Sequence, residues 1–87
     1  MRRNRCIHSI IYDLLKLLVE EQPVKKTRLC TGARLPLDRC TPILQLLVEK
    51  GLVYTVVEDE STYYYIADNG YIYIGVYEKL QGLIGEA

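Results

Sequence analysis

Residues 34–53, "RLPLDRCTPILQLLVEKGLV", decide the fold, because apolar residues at 37, 40, 43, 44, 47 and 48 keep helical spacing straight through a proline at 42. A proline in a helix interior removes a hydrogen bond and clashes with the preceding turn, at roughly 3 kcal/mol. Two starts therefore compete. Either Pro36 introduces a helix at Leu37 that accommodates Pro42, or Thr41 caps a shorter helix with Pro42 at its first position, where a missing N–H is harmless. Both versions stop at "EKG", where Lys50 suits the negative end of the helix dipole and Gly51 a left-handed cap. The stretch reads as a helix over 37–50.

Upstream, apolar residues at 7, 10, 11, 14, 15 and 18 form a helical stripe, with Asp13, Lys16, Glu20 and Glu21 off it. This predicts a first helix over 6–21, ended by Pro23. The basic segment "VKKTRLCTGAR" predicts a second helix over 25–32 that stops at Gly32. Downstream, "LVYTVV" and "TYYYIA" are β-branched and aromatic, and the polar "EDES" separates them. That pattern predicts a hairpin over 52–66 with an acidic tip. The final stretch, "DNGYIYIGVYEKLQGLIGEA", reads as a helix over 69–84 that is apolar nearly all round. Such a helix needs cover on two sides, and a chain this short supplies one. A second copy related by a two-fold axis is the simplest cover, with Ile72, Tyr73, Val76, Tyr77, Leu80, Leu83 and Ile84 as the candidate interface.

At 87 residues the chain is read as one domain, 1–87, because a core this small cannot be divided. Its net charge is zero but unevenly spread. Residues 1–50 carry ten Lys/Arg against five acids, and residues 51–87 carry Lys79 against six acids. The halves stand at +5 and −5. No apolar run reaches the roughly 18 residues of a membrane span and no signal peptide opens the chain, so a cytoplasmic protein with no membrane partner is expected. Three cysteines, Cys6, Cys30 and Cys40, cannot all pair within one chain. Either Cys30 and Cys40 are small buried hydrophobes and Cys6 a surface thiol, or some pair among the three forms a disulfide, within one chain or between subunits. One His and no C-x-x-C argue against a metal site. Catalysis has little support: His8 is a lone His, Cys30 and Cys40 lack a candidate base, and no glycine-rich phosphate loop precedes a helix. Neither an enzyme nor a cofactor is expected.

The order helix, helix, turn, helix, hairpin is a winged helix-turn-helix arrangement of the α+β class. "IIYDLLKLLVE", "VKKTRLCTGARL", "LLVEKGLV" and "YYYIADNGYIYI" resemble the small winged helix-turn-helix transcriptional regulators of archaea and of viruses of hyperthermophilic archaea. Those run through I-Y-D-I-L, V-K-K-T-R, E-K-G-L and Y-x-I-T-x-x-G in that order, into a C-terminal dimerising helix. The likeness spans about Arg5 to Leu83. It departs at Asp38, Arg39, Thr41 and Pro42, where relatives carry Lys or Gln, and at Ala67 in place of threonine. The last helix is also short beside the long coiled coils of some relatives.

The resemblance implies a homodimer on double-stranded DNA, in a viral host's cytoplasm if the chain is viral, with the third helix in the major groove and the second on the backbone. Lys25, Lys26, Thr27 and Arg28 then fall at the start of the second helix, where free N–H groups favour phosphate. On the third helix Asp38, Arg39, Thr41, Pro42 and Gln45 point outward by spacing. Arg39 matches guanine O6 and N7, Gln45 matches adenine, and Thr41 suits a base edge or thymine methyl. Asp38 needs a cytosine amine or a neighbouring Arg34. Pro42 fixes how these residues approach, or is a tolerated helix start. Arg2, Arg3 and Arg5 read as an arm over a groove or as a solubilising tail. The acids Glu58, Asp59 and Glu60 at the hairpin tip oppose phosphate, so the wing either points away from DNA or serves a protein partner.

Overall fold

The computed structural model describes residues 6–84. Four helices and one antiparallel hairpin follow in the order α1 (Ile7–Glu21), α2 (Lys26–Gly32), α3 (Leu37–Glu49), β1 (Val53–Glu58), β2 (Ser61–Ile66) and α4 (Asp68–Ile84). This is the α+β winged arrangement. The core gathers Leu14, Leu15 and Leu18 from α1, Leu29 and Cys30 from α2, Cys40, Leu44 and Leu47 from α3, and Val53 and Ile66 from the hairpin base. Each helix stripe meets the others there, which is what an amphipathic period of 3.6 requires.

The competition over Pro42 resolves in favour of the long helix: Pro36 is the N-cap and Pro42 lies inside α3. Without an N–H, Pro42 cannot bond the Asp38 carbonyl. Both residues are exposed. One residue earlier the Thr41 hydroxyl donates to the Leu37 carbonyl at 2.8 Å, a back-bond of the kind that accompanies helix bending. At the other end, Gly51 takes φ 78°, the Gly51 N–H reaches Val48 O at 3.1 Å and the Leu52 N–H reaches Leu47 O at 2.9 Å. That pair of bonds is the Schellman motif, with glycine at the left-handed position as the sequence suggests.

The same motif closes α2 without a glycine. Arg34 adopts φ 61°, its N–H bonds Thr31 O at 3.0 Å, and the Leu35 N–H bonds Cys30 O at 2.9 Å. Gly32 is thus not the turn residue. It is the last residue of the helix, where an added Cβ would stand 2.6 Å from Leu17 Cδ2, so glycine there lets α2 approach α1.

The hairpin also tightens beyond the sequence reading. Glu58 pairs with Ser61, leaving a two-residue turn in place of four polar residues. Asp59 and Glu60 occupy it at φ 50° and 66°. Positive φ at both central positions matches the twist of a hairpin, but for residues with a Cβ it costs about 1 kcal/mol each. A bridge between Val24 and Tyr64, with bonds of 3.2 and 2.8 Å, ties the α1–α2 link to β2.

Cys30 and Cys40 form a disulfide between α2 and α3, with Cα atoms 5.7 Å apart and both residues buried. Cys30 and Cys40 are thus buried, as the first reading has them, and also bonded to each other within one chain, a pairing that the sequence left open. Cys6 is a free, exposed thiol.

Candidate nucleic-acid interface

The outer side of α3 is open to solvent. Asp38, Arg39, Pro42 and Gln45 are exposed, while Thr41 is half-buried and its hydroxyl is occupied by Leu37 O. Cys40, Leu44 and Leu47 hold the opposite side in the core, and the disulfide pins the first turn of α3 to α2. No ion pair among the described residues joins Asp38 to Arg34. Arg34 is exposed in the α2–α3 turn, presented by its left-handed backbone.

At the start of α2, Lys25 and Thr27 are exposed and Lys26 is half-buried. The Lys25 Nζ lies 5.7 Å from the centre of the Tyr63 ring, a cation–π contact that draws it towards the hairpin. Arg28 is placed differently. Its guanidinium grips Glu21 at the end of α1 through Nε–Oε1 at 2.9 Å and Nη2–Oε2 at 2.7 Å. That fork holds the Glu21 carboxyl below its usual range and raises the guanidinium further. The structure therefore separates Arg28 from Lys25, Lys26 and Thr27, its companions in the sequence. Spacing within one helix gives no sign of a partner seven residues upstream on another. Arg2, Arg3 and Arg5 lie outside the described residues.

Glu58, Asp59 and Glu60 are exposed at the wing tip. One sheet face carries Tyr54 stacked on Tyr65, ring centres 5.2 Å apart. On α4 the candidate interface residues divide into two groups. Ile72, Val76, Leu80, Leu83 and Ile84 are 50–78% exposed. Tyr73 and Tyr77 are half-buried against α1: Tyr73 Oη lies 2.8 Å from His8 Nδ1, and Tyr77 stacks on Tyr12 at 4.6 Å. The Tyr12 hydroxyl donates to Glu78 Oε2 at 2.6 Å, and that bond to a carboxylate, more than any other cause, pushes the phenol up to about 12. Beside this seam an open groove of about 460 Å³ runs between α1 and α4, lined by His8, Tyr73, Val76, Tyr77, Leu80 and Gln81, with Cys6 at its edge.

Among the described residues no group of three His, Cys, Asp or Glu could hold a metal ion, and no helix is long and apolar enough to cross a membrane. No curated protein matches the chain. Solved structures do. Sso10a-2, a DNA-binding protein from Sulfolobus solfataricus, superposes with a TM-score of 0.79 at 23% identity, over 93% of this chain and 83% of that one. The transcriptional repressor CouR, solved on a 23-mer DNA duplex, gives 0.73 at 19% identity over 82% of this chain. The PcaV transcriptional regulator from Streptomyces coelicolor gives 0.74 at 18% over 87%. This chain spans 52% and 60% of the lengths of those last two. At these identities the likeness is one of fold. The sequence profile described as winged helix-turn-helix matches residues 2–84, and the chain belongs to that family.

Proposed function

We propose that this protein is a cytoplasmic, sequence-specific DNA-binding transcriptional regulator that acts as a homodimer, without catalysis of its own. The observation that carries the reading is the open outer side of α3 in a winged helix-turn-helix chain, accompanied by exposed Lys25, Thr27, Arg34 and Arg39 and half-buried Lys26. In this arrangement α3 enters the major groove while Lys25, Lys26, Thr27 and Arg34 meet phosphates. Two solved structures of the same fold support it, one described as a DNA-binding protein and one bound to a duplex. The aliphatic stripe Ile72, Val76, Leu80 and Leu83 supports a second copy on α4, since these residues recur at i, i+4, i+8 and i+11 and stay exposed. A two-fold dimer would present its α3 helices about 34 to 36 Å apart.

The test is fluorescence anisotropy with a random 30-base-pair duplex and with DNA from upstream of the protein's own gene, titrated across salt. Binding with log affinity falling by about 0.9 per contacted phosphate supports the surface, and preference for the upstream DNA supports specificity. Lys25→Ala and Lys26→Ala are expected to lower that slope, and Arg28→Ala to leave it nearly unchanged because Glu21 already occupies the guanidinium. Absence of binding at low salt refutes the reading. A second reading, a winged helix that captures a protein partner, is favoured by the acids Glu58, Asp59 and Glu60 at the wing tip, where a phosphate backbone would be repelled. Charge reversal at those three positions should then abolish capture.

A further inference from the structure

We propose that α3 reads the exocyclic amino groups of cytosine and adenine, through Asp38 and Gln45, with a thymine methyl packed on Pro42 between them. This rests on the DNA-binding reading above and adds the base chemistry. With Cys40, Leu44 and Leu47 turned into the core, a helix of 3.6 residues per turn brings Asp38, Pro42, Gln45 and Glu49 to the opposite side. All four are exposed. Arg39, the side chain best suited to guanine, lies about a quarter-turn round from this stripe, and Thr41 on the other flank has committed its hydroxyl to Leu37 O. Base edges are met by the amino-terminal part of such a helix, which selects Asp38, Pro42 and Gln45 over Glu49.

The chemistry of each position then follows. A carboxylate is only an acceptor, and no ion pair among the described residues neutralises Asp38. In the major groove guanine and thymine offer acceptors at O6, N7 and O4, which repel it. Donors exist only at cytosine N4 and adenine N6, and cytosine adds no acceptor beside its amine. Pro42 presents a ring with no N–H, suited to the one apolar group in the groove, the thymine C5 methyl. Gln45 supplies an acceptor and a donor in the fork that adenine N6 and N7 require. Seven residues separate Asp38 from Gln45, about 10 Å along the helix and on the order of three base-pair steps. The preferred site carries cytosine and adenine at that separation, with a thymine methyl between. Arg39 on the flank is left for phosphate.

The experiment is selection from a duplex library with a randomised core, using the full chain and its Asp38→Ala, Asp38→Asn, Gln45→Ala and Arg39→Ala variants, read by sequencing the bound fraction. The wild type is expected to enrich cytosine at one position and adenine about three pairs away. Asp38→Ala flattens the first position by about 10-fold or more and leaves the second intact, while Gln45→Ala does the reverse. Asp38→Asn converts the first preference from cytosine to adenine, a gain that misfolding cannot imitate. Guanine enrichment that survives Asp38→Ala and vanishes with Arg39→Ala overturns the proposal. So does a flat wild-type profile on a protein that still binds duplex in a salt-dependent way, which leaves DNA binding standing. A wild type that retains no duplex at low salt overturns both.

Discussion

The first and last helices are close in length, 15 and 17 residues, and both are rich in aliphatic side chains, yet they place them in opposite ways. α1 buries Ile10, Ile11, Leu14, Leu15 and Leu18, whereas the only buried residue of α4 is Gly70. α4 leans on α1 through rings and polar atoms: Tyr73 on His8, Tyr77 on Tyr12, and Glu78 beneath the Tyr12 hydroxyl and 3.7 Å from Lys16 Nζ. Ile74 packs on the core beside Tyr73, while Ile72, Val76, Leu80, Leu83 and Ile84 face away. Apolar content therefore states that a helix needs cover, but the identity of the cover depends on which sector each residue occupies. The contacts between α1 and α4 involve aromatic and polar side chains, while Ile72, Val76, Leu80, Leu83 and Ile84 stay exposed.

The sharpest way to break this contrast is truncation on each helix. Leu14→Ala removes a fully buried side chain and is expected to lower unfolding free energy by about 2–5 kcal/mol in urea denaturation. Leu80→Ala, half exposed on α4, should change the unfolding of dilute protein by about 0.5 kcal/mol or less while weakening self-association in sedimentation equilibrium. Comparable destabilisation by both would mean that the outer stripe of α4 is structural after all. Next in size is the disulfide. Replacing Cys30 and Cys40 with Ala removes a crosslink over a short loop and is expected to cost about 2–3 kcal/mol, read as the difference between melts of the two proteins without reductant.

The smallest effect tests the polar seam. Tyr12→Phe deletes one exposed hydrogen bond, worth about 0.5 kcal/mol. Because the Tyr12 phenol is pushed up to about 12 from its usual 10, it favours the folded state while protonated. That contribution is complete below pH 10 and disappears as pH rises through about 12. An ultraviolet titration of tyrosinate absorbance should show late phenols in the wild type, Tyr12 together with Tyr64 and Tyr73, which burial also pushes up, and Glu78→Gln should move only the Tyr12 part back towards 10. A wild type whose tyrosines all ionise together near 10 would remove the seam from the comparison.

How much of this is legible in the sequence depends on whether a feature is local. The α3 stripe, the Gly51 cap and the alternation of the hairpin are written in neighbouring residues and follow from helix and strand periods. Contacts between elements are not. Nothing near Gly32 in sequence announces that Leu17 packs against it, and nothing near Arg28 announces its fork to Glu21. Arg34 in the left-handed region and the Val24–Tyr64 bridge likewise answer to their surroundings rather than to intrinsic preference. Of the candidate interface, exposure along α3 was legible because its stripe is narrow. The division of α4 was not, because nearly every sector of that helix is apolar and nothing in the spacing says which one meets α1.

The bond between Cys30 and Cys40 also changes the topology of the reading unit, from a string to a ring. The turn and the first residues of α3 lie inside that ring, including the trypsin sites after Arg34 and Arg39. A single protease cut there would leave one covalent molecule, running intact on a gel until reductant is added. Scission inside the ring thus does not release a fragment.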